Sequence, residues 1–353
     1  MPAPATGGAG PSAVGRLVRS LPTGSFAFVM ATGIVSTAFQ DIGSPVESAA
    51  LLVIAATALV FLSIAAIWRF IAYRPETMRE AADPAKMFGL FTIVAALNVV
   101  GVRFYSPAAA AVTIALGLIS VPLWLLFNYG LPASLFFRPR TGSAVAEADG
   151  SWFLWVVATQ SLATASANLA RGFDSQGLAA LAVALWGIGV LLYLMLATIV
   201  TLKLLTVPGD PKSLNPSYWI YMGATAITVL AGATILALPA ELPAIRAMLP
   251  LVSGLTFILW AFGAWWIPLL VTFGVWRHIV QHQPLHYELG LFSIVFPLGM
   301  YSVASLHFGA IARMPLLVDI GEVGTWIAAL AWLAVVVALV HSTIGRLRAN
   351  SSR

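Results

Sequence analysis

Along the chain, apolar stretches of the length that crosses a hydrocarbon core of about 30 Å as a helix, about 20 residues, alternate with short polar breaks. The pattern predicts ten spans, at 24–40, 48–72, 87–102, 107–131, 151–170, 177–205, 217–238, 247–276, 289–310 and 322–342. The eighth contains Pro250 and Pro268 but is read as one span, because splitting it reverses the charge pattern downstream. Odd and even spans differ in kind. Even spans such as "LLVIAATALVFLSIAAIW" and "WIAALAWLAVVVALV" are almost wholly aliphatic and aromatic. Odd spans carry Thr32 and Ser36, Thr92 and Asn98, Thr159, Gln160, Ser161 and Thr164, or Thr225 and Thr228. The ninth, "LFSIVFPLGMYSVASLHFG", adds Pro297, Gly299, three serines, a tyrosine and His307. Polar side chains inside spans face protein or a water-filled cavity. The odd spans are therefore expected inside and the even ones against lipid.

Aligned on their starts, the odd spans read "FVMATG", "TIVAAL", "WVVATQ", "IYMGAT" and "SIVFPL". The fourth column is Ala31, Ala95, Ala158, Gly223 and Phe296, with separations of 64, 63, 65 and 73 residues, close to one helical hairpin each. The fold expected is an all-α membrane protein of ten helices, arranged as five parallel hairpins around a central pore. One large ring, Phe296, would fill a hole bordered by four small residues. Pro297 behind it removes a backbone hydrogen bond and kinks the helix.

Composition agrees with a membrane protein. Of 353 residues, 60% are hydrophobic and 9% charged, against about 25% charged in a soluble domain. Mean hydropathy is +0.94. The absence of cysteine excludes disulfides and thiolate metal sites. The first 22 residues hold no long apolar core, so no cleaved signal peptide is expected, and a short interfacial turn is read around Val14 to Leu21. Domain bounds follow: a tail at 1–22, a transmembrane unit at 23–343 and a tail at 344–353.

Counting Lys and Arg puts fourteen residues on the side shared by both termini: Arg16, Arg19, Arg69, Arg74, Arg79, Lys86, Arg138, Arg140, Lys203, Lys212, Arg277, Arg346, Arg348 and Arg353. Four, Arg103, Arg171, Arg246 and Arg313, fall on the other. Both termini are expected in the cytoplasm of a multi-pass protein of the cell membrane. That rim accounts for the net charge of +5 without a nucleic-acid partner.

None of the thirteen acidic residues lies well inside a span, which argues against cation passage. The expected lining is Ala31, Thr32, Ala95, Asn98, Ala158, Gln160, Gly223, Thr225, Gly299 and His307, gated by Phe296 and Pro297. Neutral donors of this kind stabilise an anion, and Arg103, Arg171 and Arg313 would form an outer mouth that concentrates it. His307, eleven positions after Phe296 and so about 20° away around the helix, would bind the anion when protonated or accompany it with a proton. The competing reading of His307 is a neutral ring bonded to a backbone carbonyl. In "HIVQHQPLH", His278, His282 and His286 are spaced by four as in a metal site, but Pro284 interrupts the helix and only Glu288 could complete the set. A wet loop is expected there, with no metal and no cofactor. No constellation suits an enzyme.

The words "FAFVMATGIVS", "WFLWVVATQ" and "FSIVFPLGMYSVAS", in that order, resemble the tellurite-resistance/dicarboxylate transporter family. That family includes plant slow anion channels, bacterial tellurite-resistance proteins, yeast malate permeases and fungal sulfite pumps. The resemblance implies a homotrimer with one pore per subunit and a phenylalanine gate, matching Phe296. It departs at Ala31, where malate permeases and sulfite pumps often have Gly, and in lacking the long tails that carry kinase control. The expected partners are small inorganic or carboxylate anions and membrane lipid. A passive anion channel is the first reading. The alternative is a proton-coupled C4-dicarboxylate carrier, or an efflux system for sulfite or tellurite oxyanions.

Overall fold

A computed structural model describes residues 13–106, 110–137, 142–207, 214–239, 243–284 and 287–351. Arg138, Arg140, Lys212, Arg353, His286 and residues 1–12 of the expected N-terminal tail lie outside the described residues. Every regular element among those described is helical. A short α1 (Ala13–Arg19) falls where the interfacial turn was expected, and α4 (Arg74–Glu80) is a second short helix. The long helices come in consecutive pairs. These are α2 (Ala27–Asp41) with α3 (Pro45–Ala72), α5 (Phe91–Arg103) with α6 (Ala110–Phe137), and α7 (Leu154–Phe173) with α8 (Gln176–Thr206). The last two are α9 (Trp219–Leu236) with α10 (Pro243–Val275), and α11 (Phe292–Ala312) with α12 (Pro315–Ser351). α10 is unbroken through Pro250 and Pro268. α12 runs on into the segment expected as a C-terminal tail.

Among the described residues, seven helical stretches are long and apolar enough to cross a membrane by length and composition, where ten were expected. The three that differ are α2, α5 and α7. At 15 and 13 residues, α2 and α5 reach only about 23 Å and 20 Å. α7 has 20 residues but carries Thr159, Gln160, Ser161, Thr164, Ser166 and Asn168. The reason is position. All three are largely buried against other helices, and a helix shielded from lipid need not be apolar all round.

The partners of each helix define two layers. α2 packs on α5, α5 on α7, α7 on α9, α9 on α11, and α11 back on α2, so the contacts close on themselves. Each of these five also packs on its following helix, α3, α6, α8, α10 or α12. Burial follows the same division: 89% of the apolar window spanning α9 is buried inside the molecule, against 11% for α12. The outer helices expose Phe61, Ile64, Leu118, Leu126 and Leu330, side chains that lipid solvates.

The inner helices start at one end. α5, α7, α9 and α11 are each preceded by a 3₁₀ turn, at Met87–Leu90, Gly150–Phe153, Pro216–Tyr218 and Leu289–Leu291. Successive turns touch one another, and the last touches α2. Asp149 ties two of them: its carboxylate accepts from the backbone N–H and hydroxyl of Ser151 at 2.9 and 2.6 Å, and from Asn215 Nδ2 and Ser217 Oγ at 2.9 and 3.1 Å. At the same end buried Arg69 donates to Glu80 at 2.8 Å and to the Arg19 carbonyl at 3.2 Å, while Arg19 donates to Glu76 at 2.7 Å. A backbone hydrogen bond and Arg19 hold the Glu76 carboxyl below its ordinary range.

Gly150 tests this collar. A Cβ there would run into the backbone of Ser217, whereas one at Gly187, in α8, meets nothing within 4 Å. Gly150→Ala should lower the yield of folded protein and its melting temperature in detergent. Gly187→Ala should be neutral, or stabilising by up to about 1 kcal/mol through helix propensity. Equal melting of the two variants would show that the turns are not held in contact.

Candidate functional site

At the level marked by the repeat, Ala31, Ala95 and Ala158 have no exposed surface and Phe296 is 2% exposed, so water does not reach this layer. Phe296 stands in the first turns of α11, directly before Pro297, the helix's internal proline. The Pro297 ring cannot donate to the carbonyl of Ser293, which weakens the helix at the turn bearing Phe296.

Glycines set how closely the inner helices approach. A Cβ on Gly223 of α9 would lie 2.7 and 3.0 Å from Cγ and Cβ of Pro297, so Gly223 makes room for the proline ring. A Cβ on Gly299 of α11 would meet Ile34 of α2 at 2.9 Å, and one on Gly33 of α2 would meet Val99 of α5 at 2.9 Å. Small residues that let helix backbones approach are a common means of association in membranes. Gly223 and Gly299 thus mark contacts between neighbouring inner helices, a use that the repeat alone did not separate from bordering a hole.

The polar side chains expected in the lining have these partners in the structure. Thr32 donates to the Phe28 carbonyl at 2.8 Å and accepts from Trp332 Nε1 of α12 at 3.0 Å. Asn98 Nδ2 donates to Val94 O at 3.0 Å and Ser161 Oγ at 3.1 Å, and its Oδ1 accepts from Ser120 of α6 at 3.0 Å. Gln160 Nε2 donates to the Trp186 carbonyl of α8 at 3.1 Å and lies over Gly189, while its Oε1 is buried with no partner in the structure. Thr225 donates to Met222 O at 2.6 Å and sits against Gly263 of α10. All four turn toward neighbouring helices. The physical reason is that a polar group shielded from water needs an internal partner, and an outer helix packed alongside is a near source of one.

Sequence reasoning missed what supplies many of those partners. Indole N–H groups on outer helices reach inward: Trp124 to Thr159 Oγ1 at 3.0 Å, Trp260 to Ser305 Oγ at 2.8 Å, Trp186 to the Thr228 carbonyl at 3.0 Å, besides Trp332 to Thr32. The available signal was a tryptophan on an otherwise aliphatic helix, whose single donor must find an acceptor when buried.

At the other end of the inner helices, Arg103 donates to Ser36 Oγ at 3.2 Å, Gln40 Oε1 at 2.9 Å and Ser48 Oγ at 2.5 Å, joining α5 to α2 and α3. His307 Nε2 lies 3.0 Å from Asp41 Oδ2, with its side chain 41% exposed. Its partner is therefore a carboxylate at the end of α2, not the backbone carbonyl considered above. Arg171 is exposed and reaches Asn168 Oδ1 at 3.4 Å. Arg313, in the left-handed conformation that ends α11, is also exposed and lines a hollow of about 330 Å³ with Met314 and Asp319. The structure thus gathers Arg103 and His307 around the end of α2, and gives Arg171 and Arg313 separate surroundings. In the histidine-rich segment, His278 Nδ1 pairs with the Gln283 carbonyl at 2.8 Å and His282 Nδ1 with Val280 O at 3.1 Å.

Comparison with known proteins fits this architecture. An uncharacterized membrane protein found in two strains of Mycobacterium tuberculosis is 45% identical over 158 residues, 44% of this chain and 80% of that protein. An uncharacterized transporter of Methanocaldococcus jannaschii is 29% identical over 122 residues, 35% of this chain and 34% of that protein. The family profile described as SLAC1, voltage-dependent anion channel, matches residues 20–340. A match over nearly the whole chain identifies the protein as a member of the SLAC1 voltage-dependent anion channel family.

Proposed function

We propose that the protein conducts small inorganic or carboxylate anions along the axis enclosed by α2, α5, α7, α9 and α11, with the Phe296 ring closing the path. In this reading all ten long helices cross the bilayer as five hairpins, both termini are cytoplasmic, and three copies assemble. Anion transport across a membrane comes with family membership. The finer reading rests on one observation above the others. The closed cycle of inner helices carries alanine or glycine at four aligned positions and a buried phenylalanine at the fifth. Ala31, Ala95 and Ala158 are the lining positions at that level. Arg103, Arg171 and Arg313 add positive charge at the opposite end from the 3₁₀ collar.

A second reading, a proton-coupled carrier, draws on the His307–Asp41 pair, which links α11 to α2 at one end. Histidine is a side chain that transport proteins use as a proton carrier. Flux in proteoliposomes separates the two. Flux driven by voltage alone supports the channel, and uptake that requires a pH gradient supports the carrier.

Removing the ring should open the path. Phe296→Ala is expected to raise anion flux several-fold in protein that still folds. A ring that merely fills a core would instead cost about 3–5 kcal/mol and yield less protein with no gain of flux. Phe at Ala95 in the Phe296→Ala background should reduce flux again, whereas Gly223 is unsuitable for this purpose because a side chain there strikes Pro297. Well-expressed Phe296→Ala protein without increased flux removes the gate. On the carrier reading, His307→Gln should abolish the pH-gradient-driven part of the uptake, with expression maintained. Unchanged uptake assigns the His307–Asp41 pair to holding α2 and α11 together. Crosslinking in native membranes should capture a trimer, and capture of monomer alone would sink that part of the assignment.

A further inference from the structure

Outside the inner cycle, where α9 and α11 begin and α10 ends, lies a half-open cavity of about 410 Å³. Trp219 of α9, Leu270 and Phe273 of α10, and Leu291 and Ile294 of α11 give it apolar walls. Val271 and Val275 also line it and are 49% and 44% exposed, so the apolar wall continues onto the outer surface of α10.

One cation stands at its edge. Arg277 belongs to a π-helical turn, Trp276–Val280, that ends α10, a local geometry frequent at functional sites. Its Nη1 donates to the Leu214 carbonyl at 3.0 Å. Its Nη2 is 3.8 Å from Glu288 Oε1, close enough to attract but beyond hydrogen-bond reach. Its Nε is buried with no acceptor among the described residues. The Arg277 side chain is 18% exposed and that of Glu288 49%, so the carboxylate can turn to solvent while the guanidinium stays. A buried donor left unmade is costly, and an anion supplied from outside would relieve that cost.

We propose that this cavity binds an anionic phospholipid, its phosphate held by Arg277 and an acyl chain laid against Trp219, Phe273 and Ile294. A guanidinium suits a phosphate, because its fork of donors matches two oxygens at once. The continuous apolar wall admits the chain from the outer surface, which a soluble anion would not need. Ile294 lies two residues before Phe296, so the bound lipid touches the helical turn that carries that ring.

Native mass spectrometry of the full chain in detergent, titrated with phosphatidylglycerol or phosphatidylcholine of matched chains, tests the assignment. Phosphatidylglycerol should bind about tenfold more tightly, because phosphatidylcholine offsets the same phosphate with a choline cation that Arg277 repels. Arg277→Gln should abolish that preference, Glu288→Gln should strengthen it, and Ile294→Trp, which fills the cavity without changing charge, should weaken both lipids. Equal affinity for the two lipids in the unaltered protein overturns the proposal. So does displacement of phosphatidylglycerol by equimolar glycerol phosphate, which would identify a site for soluble phosphate compounds. If Arg277→Gln does not fold, unchanged phosphatidylglycerol binding in both Glu288→Gln and Ile294→Trp overturns it equally.

Discussion

The architecture depends on a scarcity of hydrogen-bond partners. Within a layer that excludes water, each hydroxyl and amide on an inner helix must be answered by another part of the chain. Here the answer comes largely from an outer helix packed alongside, the next or the preceding one in sequence, or α12 in the case of α2. Trp332 meets Thr32, Ser120 meets Asn98, the Trp186 carbonyl meets Gln160, and Trp260 meets Ser305. These bonds hold four of the five outer helices, α6, α8, α10 and α12, to the bundle by more than apolar packing, which lipid would satisfy equally well. Between inner helices the polar contact of Asn98 with Ser161 joins α5 to α7, while Gly33, Gly223 and Gly299 bring other inner backbones close together.

That arrangement explains what could be read from the sequence. The contrast between polar odd and aliphatic even spans identified the inner and outer helices, because burial in protein is what permits Thr159 or Asn98 to exist at membrane depth. It did not reveal which way those side chains point. A helix surrounded by protein on all sides has two polar options, a water-lined path or a neighbouring helix, and periodicity is the same for both. The small-residue column was legible for a related reason. Gly223 stood out, but only the structure distinguishes a gap left for a passage from a gap left for the Pro297 ring.

Long-range pairs at helix ends were the least legible. His307 and Asp41 are 266 residues apart, and each alone reads as an ordinary polar residue near a boundary. Arg103 likewise reads as an interfacial anchor, yet it bonds Ser36, Gln40 and Ser48. Arg69 was counted only for its charge, although it is buried and bonded to Glu80 and to the Arg19 carbonyl. In each case the partner lies on another helix, so neither local spacing nor hydropathy encodes the contact.

The four 3₁₀ turns in mutual contact, with Thr23 and Gly24 before α2 set against Gly89 in the first of them, mean that the five inner helices all begin on the same side. Their peptide dipoles therefore add instead of cancelling, with the partial positive ends together at the collar and the negative ends together opposite. Antiparallel neighbours would have given a barrier symmetric about its midpoint. Five parallel ones give the ring an intrinsic electrical direction, so on the path proposed above an ion would meet unequal slopes from the two sides. Rectification would then be a property of the backbone itself, present before any side chain is chosen.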